Sequence, residues 1–530
     1  MAPREVASHP PAPGPLLWLG AQGRWTRGSL AFLSGILLTL GHAPVHLPWV
    51  AFLVIPALVG LLTTSGTRRQ AAWIGWAAGF GYFVSGLHWI GHAFLVDPER
   101  FLWLLPFAVT LLPAGLALFW ALAFWAARAI SPPGLGWQVL GLATALTGLE
   151  YARAHVLTGF PWALPGYVWI ETPVAQAASV VGPFGLTFLT LLIAGMPATM
   201  AGAGRGRWLM LPALALGAAL FLWGADRVPE TIRADASQPM VRVVQPNAPQ
   251  HLKWQPDYIP LFFRRLMAHS AAEGTRGRPD VVIWPEAAVG FVPQNEPLAA
   301  ARIAEAAGAP VILGAMHPSG GRDGGVFYNA LVTLLPGGEI GPRYDKHHLV
   351  PFGEYLPIKG LLEAVGLRQL AQHGGASFGP GPRTVSLPGL PAFAAAICYE
   401  MIFPHLVIAP GPRPGWIVTI TNDAWFGGFA GPQQHLDQAR FRAIEQGLPV
   451  ARAANTGIST IIDPYGRLEG QVALHRDGFW DQRLPNPLAP TLYSRTGDLP
   501  VIALLAVILG ILLCIKRLTI RFDNSSVEES

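Results

Sequence analysis

Three residues of this sequence have side chains that together could carry out covalent acyl transfer: Glu286, Lys346 and Cys398. A thiol becomes a nucleophile when a base takes its proton or when a positive charge stabilises the thiolate. Attack of the sulfur on a carbonyl creates an oxyanion, which requires fixed hydrogen-bond donors or a cation. The glutamate, the lysine and the cysteine therefore supply a base, a positive charge and a nucleophile, one each.

Each of these residues could also have an ordinary structural role. A lone cysteine at a strand end is often a small apolar residue of the core, and a loop lysine is usually solvated. The tandem His347-His348 could suggest a metal, but neighbouring side chains on an extended chain point to opposite faces. No histidine or cysteine spacing typical of zinc is present, so neither a metal nor another cofactor is predicted. The sequence has two cysteines, and Cys514 lies in an apolar run, so Cys398 is predicted to be a free thiol.

The composition indicates a membrane protein. Only 13% of the 530 residues are charged, whereas 52% are hydrophobic and 19 are tryptophan. A soluble domain would carry about 25% charged residues. Since roughly 20 apolar residues span a bilayer, about eight transmembrane helices are predicted. They are Ser29–Pro44, Leu47–Thr64, Ala71–His92, Phe101–Ala129, Leu135–Tyr151, Ala178–Gly202, Trp208–Ala225 and Leu499–Ile515.

Basic residues cluster at every second connection between these segments, which is typical of cytoplasmic loops. They are Arg24, Arg27, Arg68, Arg69, Arg128, Arg205, Arg207, Lys516, Arg517 and Arg521. The pattern predicts that both termini are cytoplasmic and that residues 226–498 lie outside. The net charge of +5 is not gathered into one patch, so no nucleic-acid partner is predicted.

The hydropathy pattern divides the chain into five parts. We expect a cytoplasmic tail (1–27), a membrane domain (28–225), an outer domain (226–498), a last membrane helix (499–516) and a second tail (517–530). In the outer domain, apolar strand-like runs alternate with helical stretches such as Tyr258–Ala272 and Gln433–Gln446, which predicts an α/β domain. The strand-like runs are Met240–Gln245, Val281–Trp284, Pro310–Gly314, Ala330–Leu335, Phe393–Cys398, Trp416–Thr421 and Ser459–Ile462.

The segments around the three reactive residues resemble the Glu–Lys–Cys signature of the nitrilase, or carbon–nitrogen hydrolase, superfamily, which implies an α-β-β-α sandwich. With membrane helices on both sides of such a domain, the whole arrangement resembles the apolipoprotein N-acyltransferase family. The matching segments are Gly159–Trp162, Lys346–Glu354, Ala396–Glu400, Thr421–Gly427, Gly431–His435, Arg452–Gly457 and Tyr493–Asp498.

The resemblance implies a role for each matching residue. Glu286 would be the general base, Lys346 the cation facing the oxyanion, and Cys398 the nucleophile. Glu354 and Glu400 would support the site, and the backbone N–H of Tyr399 would help to form the oxyanion hole. The residues implied for substrate binding are Trp162, Trp254, Asn329, Trp425 and Arg452.

The reaction implied by the resemblance starts with a phospholipid as acyl donor. Its acyl chain passes to Cys398 and then to the N-terminal amine of S-diacylglyceryl-cysteine in an apolipoprotein. The implied location is the bacterial inner membrane with the catalytic domain in the periplasm, and we expect a monomer. Loops Gly374–Pro382 and Phe426–Pro432 could act as lids.

Two further functions remain open at this point. The first is a membrane-tethered, nitrilase-like amidase, which would use the same triad but pass the acyl group to water. The second is a transporter with a soluble binding domain. A transporter would carry ionisable residues along its pathway, and the predicted spans hold few apart from His88, His92 and Glu150.

Overall fold

The computed structural model describes residues 14–202, 204–231, 234–274, 276–319, 326–355, 357 and 375–528. Parts of the predicted tails, residues 232 and 233 at the start of the predicted outer domain, and Gly374, the first residue of the loop Gly374–Pro382, lie outside these ranges. Helices make up most of the chain up to residue 227. Their bounds are Pro15–Ala21 (α1), Arg24–Leu38 (α2), Ala51–Thr63 (α3), Arg68–Gly86 (α4), Pro98–Phe101 (α5), Leu105–Ile130 (α6), Leu135–His155 (α7), Ala178–Gly195 (α8) and Met210–Arg227 (α9).

Among the described residues, four helical stretches are long and apolar enough to cross a membrane: Pro98–Ile130, Pro173–Ala201, Gly206–Arg227 and Leu499–Arg521. The predicted count of about eight is therefore not confirmed. The other four predicted spans are largely helical, as α2, α3, α4 and α7. They are shorter or more polar, since α4 begins with two arginines and α7 contains Glu150 and Arg153.

Glycines allow the helices of the membrane half to approach each other closely. A Cβ on Gly35 of α2 would lie 2.0 Å from the Ala78 carbonyl oxygen of α4, and a Cβ on Gly81 would lie 2.0 Å from the Phe32 carbonyl oxygen. Small residues at helix crossings are the usual means of tight packing in membranes. Helices α2 and α4 therefore pack against each other at close range.

Two six-stranded sheets form the outer domain. The first has the order β12-β1-β2-β3-β4-β5 and the second the order β11-β10-β9-β8-β7-β6. The strand bounds are Met240–Gln245 (β1), Val281–Ile283 (β2), Val311–Ser319 (β3), Val326–Leu334 (β4), Ile340–Asp345 (β5), Arg383–Val385 (β6), Phe393–Ile397 (β7), Trp416–Thr421 (β8), Val450–Ala454 (β9), Ser459–Ile462 (β10), Leu468–Val472 (β11) and Gly478–Arg483 (β12).

The two sheets pack face to face between layers of helices. Because side chains alternate between the faces of a strand, Phe393, Ala395 and Ile397 of β7 enter the core between the sheets, and Ala394 and Ala396 face outward. The outward faces are covered by helices, so the domain is an α-β-β-α sandwich. The remaining helices are Gln250–Lys253 (α10), Ile259–Ala271 (α11), Pro297–Ala307 (α12), Gly431–Gln446 (α13), Leu492–Thr496 (α14) and Leu499–Glu528 (α15).

The predicted strands all correspond to strands of the structure, with shifts of a few residues at their ends. Three of them, β1, β8 and β10, have the predicted bounds. Strands β5, β6, β9, β11 and β12 and helix α12 were not predicted. Four of these five strands lie at or next to a sheet edge, where side chains are more polar and the apolar signal is weak.

The sandwich is docked on the membrane half through a shared apolar core. Tyr399, Phe403 and Phe441 of the sandwich belong to the same buried cluster as the membrane helices. At this junction the indole N–H groups of Trp89 and Trp162 both donate to Gln434 Oε1, at 3.2 and 2.7 Å. The two halves therefore form one continuous interior.

A group of charged residues borders the same junction. His46 Nε2 lies 2.7 Å from Asp437 Oδ2, and Arg440 donates to both Asp437 and Glu171. Burial would lower the pKa of His46, but the carboxylate of Asp437 raises it above its usual value. The His46–Asp437 pair joins the loop after α2 to helix α13, and the Arg440–Glu171 pair joins α13 to the segment before α8.

Candidate active site

The sheet topology brings the three reactive residues together. Strands β1, β2 and β3 are parallel, and β5 runs in the same direction because β4 is antiparallel to both neighbours. Glu286 follows β2, Lys346 follows β5, and Cys398 follows β7, so all three lie beyond carboxyl ends of strands. Ligand sites in α/β folds are usually found there.

Cys398 occupies a constrained turn at the end of β7. Its φ angle is +50°, a left-handed conformation that non-glycine residues rarely adopt and that is often found at functional sites. The residue is buried, and a one-turn helix, Cys398–Ile402, begins there. The turn thus places the buried thiol directly at the carboxyl end of β7.

Glu400 ties this turn to the segment that carries Lys346. Its Oε2 accepts a hydrogen bond from the Ile397 N–H at 2.7 Å. Its Oε1 accepts from the backbone N–H groups of His347 and His348, at 2.8 and 3.1 Å, and from the Tyr344 hydroxyl at 2.8 Å. One buried carboxylate therefore sets the distance between the cysteine turn and the lysine.

Lys346 lies between two carboxylates. Its Nζ is 3.3 Å from Glu286 Oε1 and 2.8 Å from Glu354 Oε2. The Asn329 side-chain amide donates to both carboxylates, at 2.7 Å to Glu286 and 2.9 Å to Glu354. Asn329 therefore fixes the two carboxylates relative to each other.

Burial and charge act in opposite directions on the thiol and the lysine. Burial raises the pKa of Cys398 well above its usual range, Glu286 raises it further, and Lys346 and the Thr421 hydroxyl lower it. Burial alone would lower the pKa of Lys346, but the carboxylates of Glu354 and Glu286 raise it above its usual value. At neutral pH the lysine is charged, and the thiol keeps its proton until a base takes it.

A second buried lysine, Lys253, contacts the backbone of Glu286 rather than its carboxylate. Its Nζ donates to the Glu286 carbonyl oxygen at 3.2 Å, and it is 5.2 Å from the centre of the Trp254 ring. Burial lowers the pKa of Lys253 to about 8, although Glu286 and Cys398 both act to raise it. Lys253 is thus a cation within the electrostatic field of the reactive residues.

A buried polar network supports the cysteine from behind. The ring nitrogens of His435 lie 2.9 Å from Asp423 Oδ1 and 3.2 Å from the Cys398 carbonyl oxygen. Arg452 donates to Asp423 Oδ2 at 2.5 Å. Burial would raise the pKa of Asp423, but Arg452 and His435 lower it to about 2, so this carboxylate remains charged.

Residues of the membrane half complete the surroundings of Cys398. The Tyr399 hydroxyl donates to the Gly159 carbonyl oxygen at 3.2 Å, and His348 Nε2 lies 3.0 Å from the Thr158 carbonyl oxygen. The Trp162 ring lies 5.6 Å from the His435 ring, centre to centre. The segment after α7 therefore forms one wall of the site.

Most of the residues predicted from the sequence meet at this site. Asn329 contacts two of its carboxylates, Arg452 contacts the network behind the cysteine, and Trp162 contacts His435. Trp254 lies beside Lys253, whereas Trp425 is exposed and, within the described ranges, no hydrogen bond or ring contact links it to the other predicted residues.

Sequence reasoning missed Lys253, Asp423 and His435. Asp423 and His435 lie inside two of the segments that match the family. The resemblance therefore indicated that these segments belong to the site, but it did not predict the hydrogen bond between the two residues. Lys253 directly precedes Trp254 in the short segment Leu252-Lys253-Trp254, and a lysine there is indistinguishable from a solvated one without the fold.

A buried cysteine, lysine and glutamate on a two-sheet α-β-β-α sandwich define a carbon–nitrogen hydrolase domain. The family model described as carbon–nitrogen hydrolase matches residues 241–479, and the model of the apolipoprotein N-acyltransferase N-terminal domain matches residues 34–196. The chain belongs to the apolipoprotein N-acyltransferase family, and it is an acyltransferase with a carbon–nitrogen hydrolase domain.

Relatives named apolipoprotein N-acyltransferase match nearly the whole chain. The protein of Rhodopseudomonas palustris is 43% identical over 93% of this chain and 96% of its own length. That of Brucella melitensis is 38% identical over 93% and 97%, and that of Bradyrhizobium diazoefficiens is 41% identical over 93% and 95%. The similarity therefore covers both the membrane half and the sandwich.

Proposed function

We propose that this protein moves a fatty acyl chain from a phospholipid, through a thioester on Cys398, to the N-terminal amine of S-diacylglyceryl-cysteine in an apolipoprotein. The observation that carries the proposal is the contact of Lys346 with Glu286 at 3.3 Å, within the electrostatic range of the buried Cys398 thiol. The relatives of this chain are named apolipoprotein N-acyltransferase, which supports an apolipoprotein as the acyl acceptor.

In the first half-reaction, Glu286 takes the thiol proton and the sulfur of Cys398 attacks the ester carbonyl of the phospholipid. The oxyanion that forms faces the ammonium of Lys346 and the backbone N–H of Tyr399. When the tetrahedral intermediate collapses, the C–O bond breaks and Glu286 returns the proton to the leaving oxygen. The products are a thioester on Cys398 and a lysophospholipid.

In the second half-reaction, the uncharged α-amine of the acceptor attacks the thioester carbonyl. Glu286 takes a proton from the attacking nitrogen, and the same two donors stabilise the second oxyanion. Collapse breaks the C–S bond, forms the amide and returns the proton to the sulfur. Because the carboxylate accepts and returns one proton in each half, the enzyme ends in its starting state.

The membrane half fits substrates that are both anchored in a lipid bilayer. We assign residues 28–225 and 499–516 to the membrane, residues 226–498 to the periplasm, and the tails 1–27 and 517–530 to the cytoplasm, as the basic connections indicate. Helices on both sides of the sandwich would hold its site at the bilayer surface, where donor and acceptor are concentrated. The site is complete within one copy, which favours a monomer.

The decisive experiment replaces Cys398 with alanine. We expect the Cys398→Ala variant to lose transfer of the third acyl chain to a lipoprotein, read by mass analysis of the lipoprotein N-terminus. The control is Cys514→Ala, which changes the other cysteine, an exposed residue on α15, and should keep full transfer.

Intact mass of the purified wild-type protein separates this function from the amidase alternative. We expect a long-lived fatty-acyl adduct on Cys398 after incubation with phospholipid alone. Rapid hydrolysis of a soluble amide without any adduct, or full transfer by Cys398→Ala, would contradict the proposal.

A further inference from the structure

His435 lies directly behind the reactive cysteine, and the half-reactions described above give its side chain no role. It stands on helix α13 and is fully buried. The ring of Trp162 is stacked on the imidazole and the ring of Phe426 meets it edge-on, each with ring centres 5.6 Å apart. These two rings hold the imidazole in a fixed plane, so its nitrogens point at fixed partners.

The partners of the imidazole show which nitrogen carries its proton. Nε2 lies 3.2 Å from the carbonyl oxygen of Cys398, which can only accept. Nδ1 lies 3.2 Å from the guanidinium of Arg452, which can only donate. A neutral ring with its proton on Nε2 satisfies both contacts. A proton on Nδ1 alone would instead face the guanidinium and would leave two lone pairs opposed at the carbonyl.

The carboxylate of Asp423 does not change this assignment. Its Oδ1 lies 2.9 Å from Nδ1, but this oxygen already accepts from the Thr421 hydroxyl at 2.9 Å, and Oδ2 accepts from Arg452 at 2.5 Å. Burial and the charge of Arg452 lower the pKa of His435, against the opposite effect of Asp423, so the ring is neutral at pH 7. A doubly protonated ring would also carry a proton on Nε2. In either state the imidazole donates to the Cys398 carbonyl.

The acceptor of this hydrogen bond belongs to the peptide unit that also supplies the N–H of Tyr399. This peptide bond is trans, since the one cis bond among the described residues is Ala43-Pro44. The C=O and N–H groups of a trans peptide point in opposite directions, so the Tyr399 N–H points away from His435. Tyr399 lies in the first turn of the short helix Cys398–Ile402, where N–H groups have no partner within the helix. The N–H is therefore available to the oxyanion.

A donor at the oxygen of a peptide unit strengthens the donor at its nitrogen. Resonance couples the two atoms, and hydrogen bonds in such a chain reinforce one another by about 10–30% each. Within the one-turn helix the Cys398 oxygen also accepts the Met401 N–H, and its second lone pair accepts from His435. The hydrogen bond from His435 therefore makes the Tyr399 N–H more positive and fixes the direction in which it points.

We propose that His435 is a positioning residue for acyl transfer: its Nε2–H holds and polarises the Cys398–Tyr399 peptide unit and so strengthens the Tyr399 N–H as a donor to the oxyanion. The inference rests on the proposed function, because that function assigns the Tyr399 N–H to the oxyanion. The buried Asp423–Arg452 pair keeps the imidazole oriented. The effect applies to both half-reactions, since both use the same oxyanion donors.

The proposed hydrogen bond can be observed at a single carbonyl group. The chain has two cysteines, so Cys514→Ala protein grown with cysteine that carries carbon-13 at its carbonyl is labelled at the Cys398 carbonyl alone. A hydrogen bond lowers the stretching frequency of a carbonyl group. We expect His435→Asn, whose shorter amide replaces Nδ1 but does not reach the carbonyl, to move the labelled infrared band to higher frequency. His435→Gln places an amide N–H where Nε2 stood and should return the band toward its original position.

The rate of Cys398 acylation separates positioning from substrate binding. Adduct formation is followed by intact mass at several concentrations of dipalmitoyl phosphatidylethanolamine in detergent micelles. His435→Asn should lower the maximal rate by roughly tenfold, less than the loss of about 10²–10³-fold on removal of an oxyanion donor itself. The half-saturating concentration should stay unchanged, and His435→Gln should recover most of the rate. The matched control is His269→Asn, which changes another histidine that contacts an aspartate, Asp477 at 3.0 Å, and should alter neither band nor rate.

A further variant, His435→Leu, guards against a folding defect of His435→Asn, because leucine fills much of the same space without any donor. It should show the same moved band and the same loss of rate. An unmoved band in the variants that lack the donor, or a moved band with an unchanged maximal rate, would overturn the inference. A Cys514→Ala protein that forms no adduct with the phospholipid would instead contradict the proposed function.

Discussion

At the scale of single residues, the site pairs two carboxylates with two lysines that behave differently. Lys346 contacts both Glu286 and Glu354, and their charges raise its pKa. Lys253 donates to a neutral carbonyl oxygen, so burial dominates and its pKa falls to about 8. Lys346 is therefore a permanent cation, whereas Lys253 loses its charge in mildly alkaline solution.

The titration of Lys253 gives a pH prediction. Below pH 8 its positive charge favours the thiolate form of Cys398, and this help is lost as the pH of the solution rises through the pKa of Lys253, about 8. We expect the rate of Cys398 acylation in the wild type to fall across this range. In the Lys253→Met variant, the rate of Cys398 acylation at pH 7 should be lower by roughly tenfold, which corresponds to about 1.4 kcal/mol of activation free energy. Its rate should not show this decline with pH.

The measurement is the initial rate of adduct formation at several pH values. Lys253→Arg, which keeps its charge throughout, is the matched control and should retain the neutral-pH rate better than Lys253→Met. Identical pH profiles for the wild type and Lys253→Met would contradict the assignment.

The sequence predicts the reactive residues better than their supports. Glu286 and Cys398 each lie at the end of a predicted apolar strand, so the strand pattern suggests that these two meet. Lys346 follows β5, a polar edge strand that was not predicted, and it was identified through the resemblance. The bridging role of Asn329 depends on β4 crossing the site in the opposite direction, which no local pattern encodes. Trp425 was predicted to bind substrate from its segment, and this stays a prediction.

At the scale of elements, one ion pair in α7 anchors the segment that follows α7, which forms one wall of the site around Cys398. Arg153 is bonded to Glu150, and its guanidinium also donates to the carbonyl oxygens of Phe160 and Trp162, the latter at 3.0 Å. The Trp120 indole N–H donates to Glu150 Oε1 at 2.6 Å. The pair therefore fixes the path of the chain that reaches Trp162.

Breaking this pair should cost both stability and activity. Removing one partner of a buried ion pair leaves the other uncompensated, which costs about 3–5 kcal/mol. We expect Arg153→Met to lower the thermal unfolding midpoint in detergent and to slow Cys398 acylation, because the Phe160–Trp162 segment loses its donors.

The double variant Glu150→Gln/Arg153→Met is the control for the buried charge. It should recover much of the lost stability, since no unpaired charge remains, but not the acylation rate, since Phe160 and Trp162 still lack Arg153. Full activity of Arg153→Met would contradict a positioning role for the pair.

Strands that form continuous, mostly apolar runs were predictable, and more polar elements were not. Strands β1, β8 and β10 are buried throughout and have the predicted bounds, whereas the equally buried β9, which contains Arg452, was not predicted. Strands β11 and β12 carry polar, half-buried residues and lack a continuous apolar run. The helices α4 and α7 contain charged residues, so hydropathy alone does not predict their bounds well. Tertiary contacts, which propensity does not include, decide such segments.

At the scale of the whole molecule, the proposed orientation can be tested by labelling. In a background that lacks both native cysteines, we expect Leu298→Cys, on the exposed surface of α12, to react with a membrane-impermeant maleimide in intact spheroplasts. Gly206→Cys, between the basic residues Arg205 and Arg207, should react only after the membrane is permeabilised. The reverse pattern would place the sandwich in the cytoplasm and contradict the proposal.

The shared core of the two halves constrains how the sequence of this protein can evolve. Hydropathy divides the chain near residue 226, but the interior does not divide there, since Tyr399 and Phe441 pack among the membrane helices. A substitution at Trp162 alters the partner of Gln434, and one at His46 alters the partner of Asp437. We therefore expect the residues on the two sides of this junction to change together, and we expect a chimera of two relatives to be more stable when both partners of each contact come from the same parent.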